Sequence, residues 1–185
     1  MTILITGSTG QTGSRVARLL KDANYPVLLA ARSLAKIPEP FRGVYFNWLE
    51  PSSYENPFKA DPNIDRVYLI GPHLLHMLDI VKEFIELAIS KGVKRFVLVS
   101  GSCTPQGVKP LGVVHEYLAN RGVDYAVLRP TWFFGTLFIQ YSMLYVRPLT
   151  SSTHREFRYD VLQDYPRRQH DRLCSERWKD SLCVS

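Results

Sequence analysis

Three glycines, each separated by two residues, lie between an apolar run and an amphipathic segment near the amino end of the chain. Residues 3–5 predict a short buried strand, and residues 13–22 place apolar side chains at helical spacing. Residues 6–13, which connect the strand to the helix, read TGSTGQTG. Glycines here let a diphosphate approach backbone N–H groups at the positive end of a helix, where a β-carbon would shield them. The pattern predicts a dinucleotide-binding turn, and an ordinary glycine-rich turn is the alternative.

The same alternation of apolar runs and amphipathic helices continues through the first 130 residues. Further strands are predicted at residues 26–31, 43–46, 66–70, 95–100 and 123–129, and further helices at residues 74–90 and 113–121. Buried strands that alternate with helices are typical of an α/β protein with a parallel sheet covered on both faces. We therefore predict a Rossmann-type, doubly wound sheet, whose ligands bind at the carboxyl ends of the strands.

The end of the second predicted strand carries a basic residue. In sheets selective for NAD, an acidic residue at this place binds the ribose 2′-hydroxyl. Here Arg32 stands in that position and Ser33 follows it. Because a guanidinium pairs with a phosphate through two hydrogen bonds, Arg32 favours NADP over NAD. A solvated arginine at a strand end is the alternative.

Residues of the glycine-rich turn and of the later strand ends form the predicted coenzyme site. In the turn they are Gly7, Ser8, Thr9, Gly10, Gln11, Thr12 and Gly13. Asn47 follows the third strand, where it would hydrogen-bond adenine or simply form a turn. Gly71 and Pro72 would contact the nicotinamide ribose through their backbone. Ser100 closes the fifth strand, where substrate and nicotinamide would meet.

The composition indicates a globular protein without a nucleic-acid or membrane partner. Apolar residues make up 45% of the chain, and a formal net charge of +6 is spread along it, so we expect no nucleic-acid partner. The longest apolar stretch is too short to span a bilayer, so we expect no membrane partner. The three cysteines fit no metal-ligand spacing, which predicts no metal site and a reducing, cytoplasmic location. The long helix at residues 74–90 leaves a homo-oligomer open.

Several blocks of the sequence together resemble one family of reductases. They are MTILITGSTGQTGSRVARLL, FNWLEPSSY, RVYLIGPH, RFVLVSGS and VHEYLANRGVDYAVLRPTWFF. They are similar to the NmrA-like atypical short-chain dehydrogenases, in particular to the fungal festuclavine and agroclavine dehydrogenases of ergot alkaloid biosynthesis. The resemblance implies an NAD(P)-binding Rossmann fold whose nucleotide loop contains Gly7, Gly10 and Gly13. It also implies reduction of an iminium in a clavine-type indole alkaloid as the small-molecule substrate.

The resemblance ends near residue 134. The family continues after this point with further strands and a small substrate-binding lobe, whereas residues 135–185 bear no likeness to it and resemble an out-of-frame or intron-derived ending. We therefore predict an NAD(P)-binding Rossmann domain at residues 1–134, without the C-terminal part of the family fold. Residues 135–185 are predicted to be a divergent, poorly ordered tail, with one or two loosely packed helices as the alternative.

The acid–base pair of ordinary short-chain dehydrogenases is missing from this sequence. No Tyr-x-x-x-Lys follows the fifth strand, and His115 lies on the helix where a basic partner would be expected. His115 is the candidate catalytic residue because an imidazole can donate a proton near neutral pH. A structural histidine is the alternative, and an iminium carbon can accept hydride without an acid.

These observations together predict an NADP-dependent oxidoreductase that reduces an iminium (C=N) intermediate in fungal indole alkaloid biosynthesis. Two other functions stay open at this stage. One is a non-catalytic, NADP-sensing NmrA-like regulator, since the missing Tyr/Lys pair fits that function equally well. The other is an inactive truncated fragment of the reductase.

Overall fold

The structure, a computed structural model, describes residues 1–72, 74 and 76–131. Its strands are β1 (Thr2–Ile5), β2 (Val27–Ala31), β3 (Arg42–Tyr45), β4 (Ile64–Leu69), β5 (Arg95–Val99) and β6 (Asp124–Leu128). Its α-helices are α1 (Gln11–Asp22), α2 (Asn56–Ala60), α3 (Met77–Ser90) and α4 (Gly112–Arg121), and 3-10 turns cover Leu34–Lys36 and Pro51–Ser53. The predicted tail at residues 135–185 lies outside the described residues.

All six strands run parallel in one sheet, in the order β3-β2-β1-β4-β5-β6. Strand order reverses between β1 and β4, because β2 and β3 extend to one side and β5 and β6 to the other. A crevice forms outside the carboxyl ends of the strands at such a reversal, and ligands bind there. The predicted Rossmann-type fold is therefore confirmed.

Each strand supplies side chains to both faces of the sheet, which explains the continuous apolar runs in the sequence. Leu4, Leu69 and Leu98 pack on the face that carries α3 and α4. Ile5 and Tyr68 pack with α1 on the opposite face. Neighbouring residues of a strand point to opposite faces, so both must be apolar where helices cover the sheet on both sides.

The third helix begins later than the sequence predicted. Its first residue is Met77 rather than Leu74, because His76 has a non-helical backbone (φ −97°, ψ 36°). Leu74 is 40% exposed and lies before the helix. Met77 is 2% exposed and begins the buried face of the helix, which Val81 and Ile85 continue.

A helix of five residues, α2, and an aromatic cluster fill the connection from β3 to β4. Phe46, Trp48, Tyr54 and Phe58 surround Phe84 of α3, with ring centroids 5.2 to 6.1 Å from it. The cluster attaches this connection to the face that carries α3. None of the helices in the described part of the chain is long and apolar enough to cross a membrane.

Candidate functional site

The glycine-rich turn follows β1 and is tightly packed at two of its three glycines. Gly7 has a φ of +60°, and a β-carbon there would lie 2.9 Å from Cβ of Ile70. A β-carbon on Gly13 would overlap the carbonyl oxygen of Gly7. The first glycine therefore makes the turn, and the third lets α1 pack directly against it. Gly10 is exposed, with φ −82° and ψ 173°.

The turn leaves a group of backbone N–H donors unused. Within the described residues, the N–H groups of Ser8, Thr9, Gln11, Thr12 and Gly13 donate no hydrogen bond. The first turn of α1 contains no acidic residue, and no side chain caps it. Unpaired N–H groups and the helix dipole make a helix start of this kind a binding site for a phosphate.

Buried side chains hold the turn in place from both sides. The hydroxyl of Ser8 donates to the carbonyl oxygen of Ala30 at the end of β2, at 2.9 Å, and Ser8 is 2% exposed. The hydroxyl of Thr6 donates to the carbonyl oxygen of Ile70 at 3.1 Å and accepts from the Ile70 N–H at 2.8 Å. The side chain of Ser8 is thus engaged inside the fold, which leaves its backbone N–H to face a ligand.

Ile70, the residue after β4, joins three segments at the carboxyl edge of the sheet. Its carbonyl oxygen accepts from Thr6 and also from Nε1 of Trp48, at 3.1 Å. Thr6 follows β1, and Trp48 lies in the connection that follows β3. Local sequence patterns indicate neither Thr6 nor Trp48, because their partner Ile70 lies 64 and 22 residues away from them, respectively.

Tyr68 of β4 contacts the first turn of α1 through Thr12. Tyr68 is 7% exposed, and burial raises its pKa, while a hydrogen bond with Thr12 partly offsets that rise. The contact fixes Thr12 at the first turn of α1. Two of the strand ends next to the turn, those of β2 and β4, therefore hold the donor groups in position.

Arg32 lies directly after β2 and is exposed. In the described part of the chain, its side chain forms no hydrogen bond and no ion pair. Ser33 follows, and a 3-10 turn at Leu34–Lys36 brings a second cation, Lys36, into the same connection. The guanidinium is thus free to bind a phosphate that reaches the end of β2.

Asn47 has a turn role in the structure, the alternative that the sequence left open. Its Oδ1 accepts from the Leu49 N–H at 3.2 Å, and its backbone N–H donates to the Ser53 hydroxyl at 3.0 Å. Its amide also hydrogen-bonds Tyr45, which moderates the raised pKa that Glu50 gives that phenol. Binding of adenine by Asn47 stays a prediction.

Gly71 and Pro72 continue from Ile70 beyond the end of β4. A β-carbon on Gly71 would lie 2.9 Å from Sδ of Met77, so the glycine lets the chain pass close to the first residue of α3. The carbonyl oxygen of Pro72 accepts from the Leu74 N–H at 2.9 Å, which turns the chain toward that helix. The carbonyl and N–H groups of Gly71 stay at the carboxyl edge of the sheet.

Ser100 follows β5 and carries a buried hydroxyl. The residue is 7% exposed, and among the described residues its Oγ has no hydrogen-bond partner. A buried hydroxyl without a partner costs about 1–3 kcal/mol. Buried polar atoms are nearly always paired, so a buried hydroxyl without a partner at this edge of the sheet indicates a partner beyond the described residues.

His115 lies near the start of α4, where it contacts Tyr125 and Arg129. Its ring centroid is 5.6 Å from that of Tyr125, and its Nδ1 is 3.2 Å from Nη2 of Arg129. Partial burial and the Arg129 guanidinium lower the pKa of His115. Because a guanidinium only donates, Nδ1 accepts, and the neutral ring carries its proton on Nε2. The imidazole is therefore a neutral donor at pH 7.

The predicted site residues fit a dinucleotide coenzyme. All of them lie after the carboxyl ends of strands or near the start of the helix that follows, which in a parallel sheet is one edge. Two observations support the fit. A β-carbon would fill the turn at Gly7 or Gly13, and Ser100 has a buried hydroxyl without a partner in the described residues.

Comparison with known proteins connects this geometry to a sequence family. The family described as NAD(P)H-binding matches residues 7–146. The chain is 43% identical to festuclavine synthase I of Penicillium roqueforti, over 74% of this chain and 50% of that protein. It is 39% identical to agroclavine dehydrogenase of Claviceps fusiformis, over 72% of this chain and 47% of that protein. The chain thus spans about half the length of the curated relatives it matches.

Solved structures share the fold at low sequence identity. A nucleoside-diphosphate-sugar epimerase from Staphylococcus aureus matches with a TM-score of 0.66 at 18% identity, over 78% of this chain and 55% of that chain. A yeast methylglyoxal/isovaleraldehyde reductase complexed with NADPH matches with a TM-score of 0.59 at 17% identity, over 71% and 55%. At this identity the likeness establishes the fold alone.

Proposed function

The chain belongs to the NAD(P)H-binding family, and from that premise we propose that it is an NADPH-dependent oxidoreductase. We further propose that it reduces an iminium in a clavine-type indole alkaloid. The relatives named as festuclavine synthases and agroclavine dehydrogenases support the choice of substrate.

The unused N–H groups of the glycine-rich turn are the observation that carries the proposal. Five of them surround the start of α1, and Thr6 and Ser8 hold the turn rigidly against β2 and β4. Groups that are held in place before a ligand arrives lose little entropy when it binds. The turn would bind the diphosphate of the coenzyme through its backbone, with the positive end of the α1 dipole adding to the attraction.

Selectivity for the phosphorylated coenzyme is assigned to Arg32. Its guanidinium is exposed at the end of β2 and has no partner in the described residues. The turn would bind the diphosphate at the end of the neighbouring strand, β1, so the adenosine ribose would reach the end of β2. We infer that Arg32 pairs with a 2′-phosphate there, with Ser33 and Lys36 in the same connection.

Reduction of an iminium requires little of the protein beyond positioning the coenzyme and the substrate. A bound coenzyme would supply a hydride to the iminium carbon, and the electron pair of the C=N bond would pass to nitrogen. The product is a neutral amine, so no proton transfer is required. The residues of the carboxyl edge bind the two reactants next to each other and limit the access of water. The absence of a Tyr-x-x-x-Lys pair after β5 is consistent with this reaction.

The test is NADPH oxidation by the whole chain in the presence of a clavine-type iminium. We expect turnover with NADPH and a much lower rate with NADH. Glu116→Gln serves as a control, because Glu116 is an exposed residue of α4. Tight binding of NADPH without any turnover would contradict the enzymatic function and favour a coenzyme-sensing protein. Failure to bind either coenzyme would contradict the proposal as a whole.

A further inference from the structure

The indole of Trp48 connects two strand ends that are not neighbours in the sheet. Trp48 lies in the connection after β3, and its Nε1–H donates to the carbonyl oxygen of Ile70, directly after β4, at 3.1 Å. In the sheet order β3-β2-β1-β4, two other strands separate these ends. Those two strands carry Arg32 and the glycine-rich turn at their carboxyl ends. The hydrogen bond therefore joins the two sides of the edge along which the proposed coenzyme would bind.

Buried aromatic side chains fix the indole on the face of the sheet that carries α3. Its ring centroid is 4.8 Å from that of Phe46 and 5.3 Å from that of Phe84, at interplanar angles of 87° and 83°. The hydroxyl of Tyr54 donates to the carbonyl oxygen of Trp48 at 2.7 Å. These three partners are each at most 3% exposed. Because both its ring and its backbone are held, Trp48 has its N–H in position before a ligand binds.

The direction of the Ile70 carbonyl depends mainly on this indole. The Thr6 hydroxyl also reaches the Ile70 oxygen, at 3.1 Å, but it lies 3.2 Å from the carbonyl oxygen of Tyr68 as well. A hydroxyl carries one proton, so Thr6 divides its donor between two acceptors. The indole N–H has one acceptor in the described residues, the Ile70 oxygen. Loss of the indole N–H would therefore leave this carbonyl with a shared donor.

The carbonyl of Ile70 lies in the same peptide plane as the N–H of Gly71. This peptide bond is trans, so the N–H points away from the side on which Thr6 and Trp48 bind the carbonyl. Within the described residues, the Gly71 N–H donates no hydrogen bond, and Gly71 is partly exposed. Ile70 also packs closely on the turn, since a β-carbon on Gly7 would lie 2.9 Å from its Cβ. The indole thus orients an unused donor beside the glycine-rich turn.

We propose that Trp48 is a positioning residue for the coenzyme, which acts through the Ile70 carbonyl to direct the Gly71 N–H toward an oxygen of the nicotinamide ribose. The inference rests on the proposed function, since it requires a dinucleotide bound along this edge. A ribose hydroxyl accepts a hydrogen bond from a backbone N–H. The phosphorylated adenosine would bind toward β2, away from β4, so its affinity should not depend on the indole N–H. Asn47, next to Trp48, is held by the Ser53 hydroxyl at 3.0 Å rather than by the indole.

The test compares three ligands that share the 2′-phosphorylated adenosine, namely 2′,5′-ADP, 2′-phospho-ADP-ribose and NADP⁺. The last two carry the second ribose, and NADP⁺ also carries nicotinamide. Calorimetry measures each ligand with the whole wild-type chain and with Trp48→Phe, which keeps an aromatic ring but removes the N–H. We expect Trp48→Phe to bind 2′,5′-ADP with unchanged affinity. It should bind the other two about three- to tenfold more weakly, the effect of one neutral hydrogen bond.

Phe58→Leu is the matched control for a loosened aromatic cluster. Phe58 is 8% exposed and its ring centroid lies 6.1 Å from that of Phe84, but a phenyl ring donates no hydrogen bond to the Ile70 carbonyl. Phe58→Leu should lower the melting temperature and leave the ratios of the three affinities unchanged. If Trp48→Phe fails to fold, 3-benzothienylalanine at position 48 keeps the shape of the indole, removes its N–H and should change the ratios in the same way.

The ratios of the affinities separate positioning from stability. Equal weakening of all three ligands in Trp48→Phe, or weakening of none, would overturn the inference, and so would the same change of ratios in Phe58→Leu. Weakening of NADP⁺ alone would assign the effect to the nicotinamide ring, which contradicts a donor to the ribose. Wild-type protein that binds none of the three ligands would defeat the proposed function and this inference with it, whereas binding with unchanged ratios in Trp48→Phe defeats the inference alone.

Discussion

The hydroxyl of Ser8 donates a 2.9 Å hydrogen bond to the carbonyl oxygen of Ala30. This bond connects the glycine-rich turn after β1 to the last residues of β2, two positions before Arg32. The groups proposed to bind the diphosphate and the 2′-phosphate of one coenzyme are therefore held at a fixed separation by the fold itself. A ligand that contacts both groups meets a site already in place.

Replacing Ser8 tests whether this connection supports coenzyme binding. Ser8→Ala leaves the buried carbonyl of Ala30 without its donor, so we expect unfolding free energy to fall by about 1–2 kcal/mol. NADP⁺ should also bind several times more weakly, because the turn loses its attachment to β2. Chemical denaturation and calorimetry measure the two effects. Ser52→Ala, at an exposed serine, is the control. Unchanged stability would contradict the role of the bond.

Replacing Thr6 removes the second attachment of the turn. Thr6 is 0% exposed. Thr6→Val keeps the shape of the side chain but leaves the Ile70 N–H without its acceptor. We expect a loss of about 1–3 kcal/mol in unfolding free energy. Trp48→Phe removes the other donor to the Ile70 carbonyl and should cost less, since Thr6 still donates to that oxygen. Denaturant titration of both variants decides this order, and the reverse order would contradict it.

Reversing the charge at Arg32 tests the choice of coenzyme. Arg32→Asp should weaken NADP⁺ by roughly 1–3 kcal/mol, because an attractive charged pair becomes a repulsive one. NAD⁺ lacks the 2′-phosphate and should lose much less. Arg18→Asp, on the exposed side of α1, controls for the change in net charge. Equal losses for the two coenzymes would remove Arg32 from the 2′-phosphate site.

The contact between α3 and α4 predicts a loss of stability in acid. Glu86 accepts two 2.8 Å hydrogen bonds from Arg121 and a further one from Tyr117. The Arg121 guanidinium and the Tyr117 hydroxyl lower the pKa of Glu86 to about 2, while burial and Glu86 raise the pKa of Tyr117 to about 12.

Because the pKa of Glu86 falls on folding, its contribution to stability is complete above the ordinary glutamate pKa of 4.5 and is lost as pH decreases toward 2. Glu86→Gln should therefore lower stability at pH 7 and flatten its decline in that range. Solvent exposure keeps the effect under about 1 kcal/mol. Melting curves at several pH values, with Glu116→Gln as control, measure it. A parallel decline in wild type and Glu86→Gln would contradict the prediction.

Local sequence patterns were sufficient for the strands, the main helices and the glycine-rich turn. The spacing of Gly7, Gly10 and Gly13 between an apolar run and a helix predicts a dinucleotide-binding turn, and the backbone itself requires glycine at Gly7 and Gly13. Gly122, with a φ of +70°, ends α4 in the same local way.

Local sequence patterns could not predict hydrogen bonds between residues that lie far apart in the chain. Thr6 and Trp48 both donate to the Ile70 carbonyl, and nothing near either residue in sequence indicates this. The pairing of His115 with Arg129 depends on how α4 lies against β6. The start of α3 was placed three residues too early, because Leu74 continues the helical spacing of apolar residues although the backbone turns at His76.

Calorimetry of NADP⁺ with wild-type protein and Gly10→Ala tests the central claim most directly. A β-carbon on Gly10 would lie 3.2 Å from the Gly7 carbonyl oxygen, and its φ of −82° suits alanine, so the variant should fold with little change in melting temperature. It places a methyl group beside the N–H donors of the turn. The account predicts saturable binding to wild type and at least about tenfold weaker binding to Gly10→Ala. Equal affinity in the two proteins, or no binding to wild type, would contradict it.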